Sequence, residues 1–143
     1  MRVVHLDGQA RDAFVTEKRL AVLTTLRESG APTALPLWYR WDGEVVEMFS
    51  ERGAPKVSRL LRDPRATVLV ANSPNESARW VSFEGSVTVS NDGFEASKRL
   101  LERYVGDPSH PKIAPVLEMF RKMDLVRLSL RPERVVTYAE LHD

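Results

Sequence analysis

Apolar positions in this chain recur with a period of two through several short runs and switch to a helical period only briefly between them. The spacing of Ala10, Ala13, Phe14 and Ala21 predicts a short amphipathic helix over residues 7–19, with Asp7 as its N-cap. LAVLTTL, Leu20 to Leu26, is rich in strand formers. The Glu28-Ser29-Gly30 turn then leads to PTALPLWYRW, Pro32 to Trp41, and the two runs predict a hairpin. Asp42-Gly43 predicts a two-residue type I′ turn into a third strand, Glu44 to Phe49, because both central positions of that turn need positive φ. Pro55 suits the first position of a helix whose buried stripe is Val57, Leu60 and Leu61, and Asp63-Pro64 stops it.

ATVLVA, Ala66 to Ala71, is almost wholly apolar and predicts a central strand, followed by a polar loop, NSPNESA. In the long strand Arg79 to Ser90, Trp80, Ser82 and Glu84 alternate against Val81 and Phe83, and Gly85 marks a bulge. Asp92 can cap a helix over residues 93–105 that turns Phe94, Leu100, Leu101 and Tyr104 inward. A proline-broken connection, GDPSHPKIAP, leaves room for a lid before a short helix over 116–123. Two closing strands, LVRLSLRP and RVVTYAEL, complete the pattern. About seven strands joined as a meander, with small helices, describe one mainly β, α+β domain over residues 1–143: an antiparallel barrel with helices covering its openings.

Composition narrows the chemistry. A net charge of +1 is too small for a dedicated nucleic-acid binder. No apolar run approaches the roughly 20 residues of a membrane span, and the first residues lack the apolar core of a signal peptide, so the expected location is the cytoplasm. With no cysteine and only His5, His110 and His142 as imidazoles, neither thiol catalysis nor a metal site is expected. G-x-S-x-G, the P-loop and H-E-x-x-H are all missing, so the chemistry falls to a bound cofactor.

The segment SERGAPKVSRLLRDPR, Ser50 to Arg65, is the strongest candidate site. Lys56 falls in the first helical turn, where the helix dipole disfavours a cation and free N–H groups point outward. A phosphate held there by Lys56, with Arg52 and Arg59 nearby, would satisfy both. Arg62 is expected at the surface, and Asp63 with Arg65 is expected to brace the turn into the next strand. Along Pro32–Trp41, Trp38 and Arg40 share one face while Tyr39 and Trp41 share the other, and one of those sets belongs to the core. Glu84 is expected to find an arginine partner or to face solvent, the salt bridge being the preferred reading.

The order and spacing of LAVLTTLRESGAPTALPLWYRWDGE, SERGAPKVSRLLRDPRATVLV and RWVSFEGSVTV resemble the split β-barrel family related to pyridoxamine 5′-phosphate oxidase, over nearly the whole chain. K-x-x-x-L-x-x-D-P-R is the most specific element of that likeness. The resemblance implies a homodimer with two cofactors in the grooves between its barrels. It also implies that Lys56 contacts the cofactor phosphate, assisted by Arg52 and Ser50, although Ala54 stands where many relatives carry a basic residue. The cofactor ring would lie beside Leu35, Pro36, Leu37, Trp38 and Phe49, and Arg79 and Trp80 would reach the neighbouring subunit's cofactor. The implied activity is hydride transfer from reduced coenzyme F420 to a small conjugated acceptor, with a linear tetrapyrrole such as biliverdin as one candidate. Flavin mononucleotide is the alternative cofactor, and a non-catalytic carrier of either is the alternative role.

Overall fold

A computed structural model describes residues 1–142. Its elements are β1 (Arg2–Val4), α1 (Gly8–Thr16), β2 (Ala21–Leu26), β3 (Pro32–Leu37), β4 (Arg40–Trp41), β5 (Val46–Glu51), α2 (Pro55–Arg62), β6 (Arg65–Ala71), β7 (Arg79–Ser90), α3 (Gly93–Tyr104), α4 (Ala114–Lys122) and β8 (Leu125–Leu141). The strands form one sheet in the order β3-β2-β6-β7-β8-β5-β4, with β1 added along β8. Every pairing is antiparallel.

β3 and β4 are consecutive in the chain yet lie at opposite ends of the sheet, with only Trp38 and Tyr39 between them. Three Cα–Cα steps span at most about 11 Å. The two edges must therefore approach each other, and the sheet curls into a barrel with a split along that seam. The interior is filled from both ends. Phe14 and Val15 of α1 and Val57 and Leu60 of α2 join inward residues of the strands, among them Leu23, Met48, Val68, Phe83 and Leu128, all at most 2% exposed. A second apolar cluster, built on Leu101, Phe120 and Leu125, lies where α3 and α4 cover the outer face of β5 and β8. No helix among the described residues is long and apolar enough to cross a membrane.

Several expectations hold in detail. Asp7 caps α1, its Oδ1 accepting the Ala10 N–H at 2.8 Å, and Asp63 ends α2 in an extended conformation while pairing with Arg65 at 2.8 Å. Tyr39 and Trp41 are the inward set: Tyr39 is fully buried, and Trp41 stacks on Phe83 at 4.7 Å. Gly85 sits at the register shift between β7 and β8, where a Cβ would meet the Arg131 carbonyl oxygen at 2.1 Å. Glu84 faces solvent, with Arg134 at 4.0 Å.

Other expectations are corrected. The two closing strands are one, β8: Pro132 falls at the bulge opposite Gly85, where the ladder is already interrupted and its missing N–H costs little. Pro32–Trp41 is broken at Trp38-Tyr39, because the chain changes edges there. The type I′ turn does not form. Among the described residues only glycines have positive φ, and Asp42 instead holds a four-residue loop through its Oδ1, which accepts the Glu44 and Val45 N–H groups at 2.8 Å each. Leu61 lies outside the helix stripe and is 69% exposed. The Asp92 carboxylate accepts from the Ser90 hydroxyl rather than capping α3. Residues 2–4, unassigned by pattern, add β1.

Gly93 opens α3 directly against β8, where a Cβ would lie 2.2 Å from the Leu125 carbonyl carbon and 2.4 Å from the Val126 nitrogen. Backbone cannot move aside there as a flexible side chain could. Gly93→Ala should lower stability by about 1–3 kcal/mol, measured by chemical denaturation, and an unchanged midpoint would contradict this packing.

Candidate active site

The split in the barrel leaves a shallow apolar hollow of about 320 Å³, walled by Leu20, Pro36, Leu37, Trp38 and Phe49. Each wall follows from local structure. Pro36 can stand in β3 because β3 is a sheet edge, where the missing N–H breaks no ladder. Trp38 turns outward because Tyr39, the next residue, turns inward, and its ring lies parallel to that of Tyr104, with centroids 5.1 Å apart. Phe49 projects from the outer face of β5 and meets Phe120 edge-on at 5.4 Å. Leu20, 58% exposed, closes the remaining side. None of the five walls carries a titratable group.

The Glu51–Pro55 turn joins β5, with Phe49 in the hollow, to α2, with Lys56 in its first turn. No side chain caps this helix. Lys56 is half-buried and has no hydrogen bond or ion pair among the described residues. Burial pushes its ammonium below the usual lysine range; the Glu51 charge opposes this and the Arg59 charge adds to it. Arg59, also half-buried and without an acidic partner within 4 Å among the described residues, stands three positions on, so the two cations share a helix face. Two unpaired, partly desolvated cations beside an uncapped N-terminus form a site complementary to an anion.

The structure brings Pro36, Leu37, Trp38 and Phe49 together in the hollow and Lys56 with Arg59 on α2. It places the other candidates differently. Arg52 is already engaged: its Nε donates to Asp124 at 3.0 Å and one Nη to Asn91 at 2.8 Å. The Ser50 hydroxyl is buried and donates to the Glu51 carbonyl at 3.0 Å. Leu35 lies on β3 outside the hollow. Arg79 covers the Phe14 ring and reaches Glu76, and Trp80 stacks on Tyr138 at 4.0 Å on the outer face of β7. His110 lies exposed in the α3–α4 connection. No group of three or more His, Asp or Glu side chains is arranged to hold a metal among the described residues.

Sequence reasoning missed Leu20, whose isolated position at a strand start resembles any other strand residue. It also missed Glu47. This fully buried carboxylate accepts from Arg99 on α3 at 2.9 and 2.8 Å, from Arg127 on β8 at 2.6 Å and from Arg40 on β4 at 3.3 Å. A lone acid in the apolar run VVEMF, residues 45–49, was the available clue. Burial would raise the Glu47 carboxyl, but hydrogen bonds from Arg99 and Arg127, with the charges of Arg99 and Arg40, outweigh it and bring it down to about 2. Glu47 and Phe49 share a face of β5, so this knot fixes α3 and the strand that walls the hollow.

A curled antiparallel sheet, with an apolar hollow at its seam and a lysine without an acidic partner among the described residues on the adjoining helix, defines the split β-barrel class. The profile of the pyridoxamine 5′-phosphate oxidase family matches residues 8–137, and the chain belongs to that family. It is 27% identical over 136 residues to an F420H(2)-dependent biliverdin reductase of Mycobacterium tuberculosis, a match covering 92% of this chain and 88% of that protein. A conserved hypothetical protein of Mycobacterium tuberculosis has a similar fold, with a TM-score of 0.80, 23% identity and coverage of 99% of this chain and 92% of that one. An F420 reductase superposes with a TM-score of 0.69 at 23% identity, over 87% of this chain and 94% of its own. A FAD-binding protein from Mesorhizobium loti gives a TM-score of 0.71 at 18% identity, over 99% of this chain and 100% of its own.

Because the folded Glu47 carboxyl is held below its ordinary value of 4.5, its contribution is complete above about pH 4.5 and is lost as the pH falls toward 2. Glu47→Gln should flatten the acid limb of the stability curve over that window. It should also cost roughly 2 kcal/mol at pH 7, below the usual value for a broken buried pair because the arginines retain water. An acid limb identical to wild type in urea titrations would contradict this.

Proposed function

We propose that this chain is an oxidoreductase that binds reduced coenzyme F420 and delivers hydride to a small conjugated acceptor. The observation that carries the reading is Lys56: a half-buried ammonium without a partner among the described residues, beside an uncapped helix start and one turn of chain from an apolar hollow. That donor set fits a cofactor with a phosphate at one end and a planar ring at the other. Bound reduced deazaflavin would supply the hydride.

Lys56, with Arg59, would hold the phosphate. Pro36, Leu37 and Trp38 would support one face of the ring, and Phe49 and Leu20 would keep water from its edge. The walls hold no acid or base, so the proton that follows the hydride comes from solvent or from a group that the acceptor brings near. The family relative that reduces biliverdin supports a linear tetrapyrrole as a candidate acceptor. Flavin mononucleotide would present the same phosphate to the same cations, and direct titration separates the two.

A second copy of the chain completes the site in this reading. The outer face of β2, β6, β7 and β8 carries Val22 paired with Leu69, 37% and 36% exposed, and the Trp80–Tyr138 stack. Exposed apolar side chains of this kind on one sheet face suit a homodimer interface, with the cofactor groove at its edge.

Lys56→Ala should weaken F420 binding about 10- to 100-fold, the range for a hydrogen bond to a charged group. Fluorescence titration of F420 and of flavin mononucleotide measures this, and equal affinity in mutant and wild type would refute the anchor. Leu69→Arg should shift the mass measured by light scattering from twice 16.2 kDa to 16.2 kDa, whereas a wild type already monomeric at micromolar concentration would refute the dimer.

A further inference from the structure

Tyr104 ends α3 outside the hollow, yet it contacts both of the hollow's rims. Its ring backs Trp38 in a parallel stack, 5.1 Å between centroids and 3° between planes. Its hydroxyl donates to the carbonyl of Arg19, the residue before Leu20, and accepts the N–H of Tyr39, the residue after Trp38, at 3.2 Å. One phenol therefore joins the two backbone segments that carry Leu20 and Trp38.

The neighbouring groups hold the phenol in place without duplicating its role. Arg103 donates to the Thr16 and Glu17 carbonyls at 2.9 Å each, tying α3 to the end of α1. The Tyr39 hydroxyl donates to the Val15 carbonyl at 2.7 Å inside the barrel. Neither reaches Leu20 or Trp38. Trp38 belongs to no strand, lying between β3 and β4, so no ladder fixes its backbone. The Tyr104 ring behind it and the bond to Tyr39 beside it orient it, together with its packing against the Leu101, Phe120 and Leu125 cluster.

We infer that Tyr104 is a positioning residue for the ring-binding hollow, setting the place and tilt of the Trp38 indole by stacking behind it and tying the backbone beside it to Arg19. This rests on the cofactor reading for its functional consequence; the geometric claim stands apart from it. The phenol acts through Trp38, so its effect on cofactor binding should vanish when Trp38 is removed. A role confined to stabilising the fold would instead persist in that background.

The test is a double-mutant cycle with Tyr104→Phe, Trp38→Leu and their combination, read by F420 titration and by the indole N–H signals in proton–nitrogen NMR. Trp38→Leu identifies the Trp38 signal. Trp41, bonded to Asp12 at 2.8 Å, and Trp80 serve as internal controls. Tyr104→Phe should shift and broaden the Trp38 signal alone and weaken F420 binding about three- to tenfold, the range for one lost hydrogen bond. Added to Trp38→Leu, it should cause no further loss. Additive losses, or an unmoved Trp38 signal in Tyr104→Phe, would overturn the inference. If wild type binds neither F420 nor flavin mononucleotide, the cofactor reading fails, and the Trp38 signal alone decides the positioning role.

Discussion

Tyr39 carries the chain from one edge of the sheet to the other, and the rest of the fold depends on that crossing. Two residues cannot bridge an open sheet of seven strands in sequence, so the sheet curls until its edges meet. A fully buried phenol at the seam needs a partner for its hydroxyl, and it finds one in the Val15 carbonyl at the end of α1. Burial pushes the Tyr39 hydroxyl up to about 12, so it remains a neutral donor across the working pH range. Because Tyr39 points in, Trp38 must point out, and the hollow at the split follows from the same crossing.

The second constraint is on β5. Strand alternation turns Val46 and Met48 into the barrel and Glu47 and Phe49 outward. Glu47 is covered by α3 and held by three arginines, which makes a buried carboxylate tolerable and locks the strand whose next outward residue walls the hollow. The chain then leaves β5 and enters α2, presenting Lys56 and Arg59 without acidic partners among the described residues. An apolar end and a cationic end thus sit on consecutive pieces of chain, each braced by structure that takes no part in binding.

Features set by local pattern were legible in the sequence. The Asp7 cap, the Asp63-Pro64 stop, the limits of β7 and the placing of Tyr39 with Trp41 on one face, opposite Trp38 and Arg40, each depend on a few adjacent residues. The same holds for the cationic first turn of α2, whereas the Pro36–Trp38 wall was implied by the family resemblance. What escaped depends on partners distant in sequence. Arg52 looked available for a phosphate until Asp124, 72 residues away, engaged it. Leu61 fits a helix stripe by angle but faces outward once Val57 and Leu60 settle over the core. Pro132 signals a strand break until Gly85 across the ladder accommodates it as a bulge. Leu20 and Tyr104 acquire their significance only when the barrel's edges meet.

The central claim is that one cofactor spans the Lys56 face and the hollow at the seam. A crystal structure of the protein grown with oxidised coenzyme F420 tests it most directly. The account predicts a phosphate within hydrogen-bond reach of the Lys56 Nζ and the ring system against Pro36, Leu37 and Trp38. A ring bound elsewhere, or a phosphate held by other cations such as Arg127 and Arg131, would contradict it.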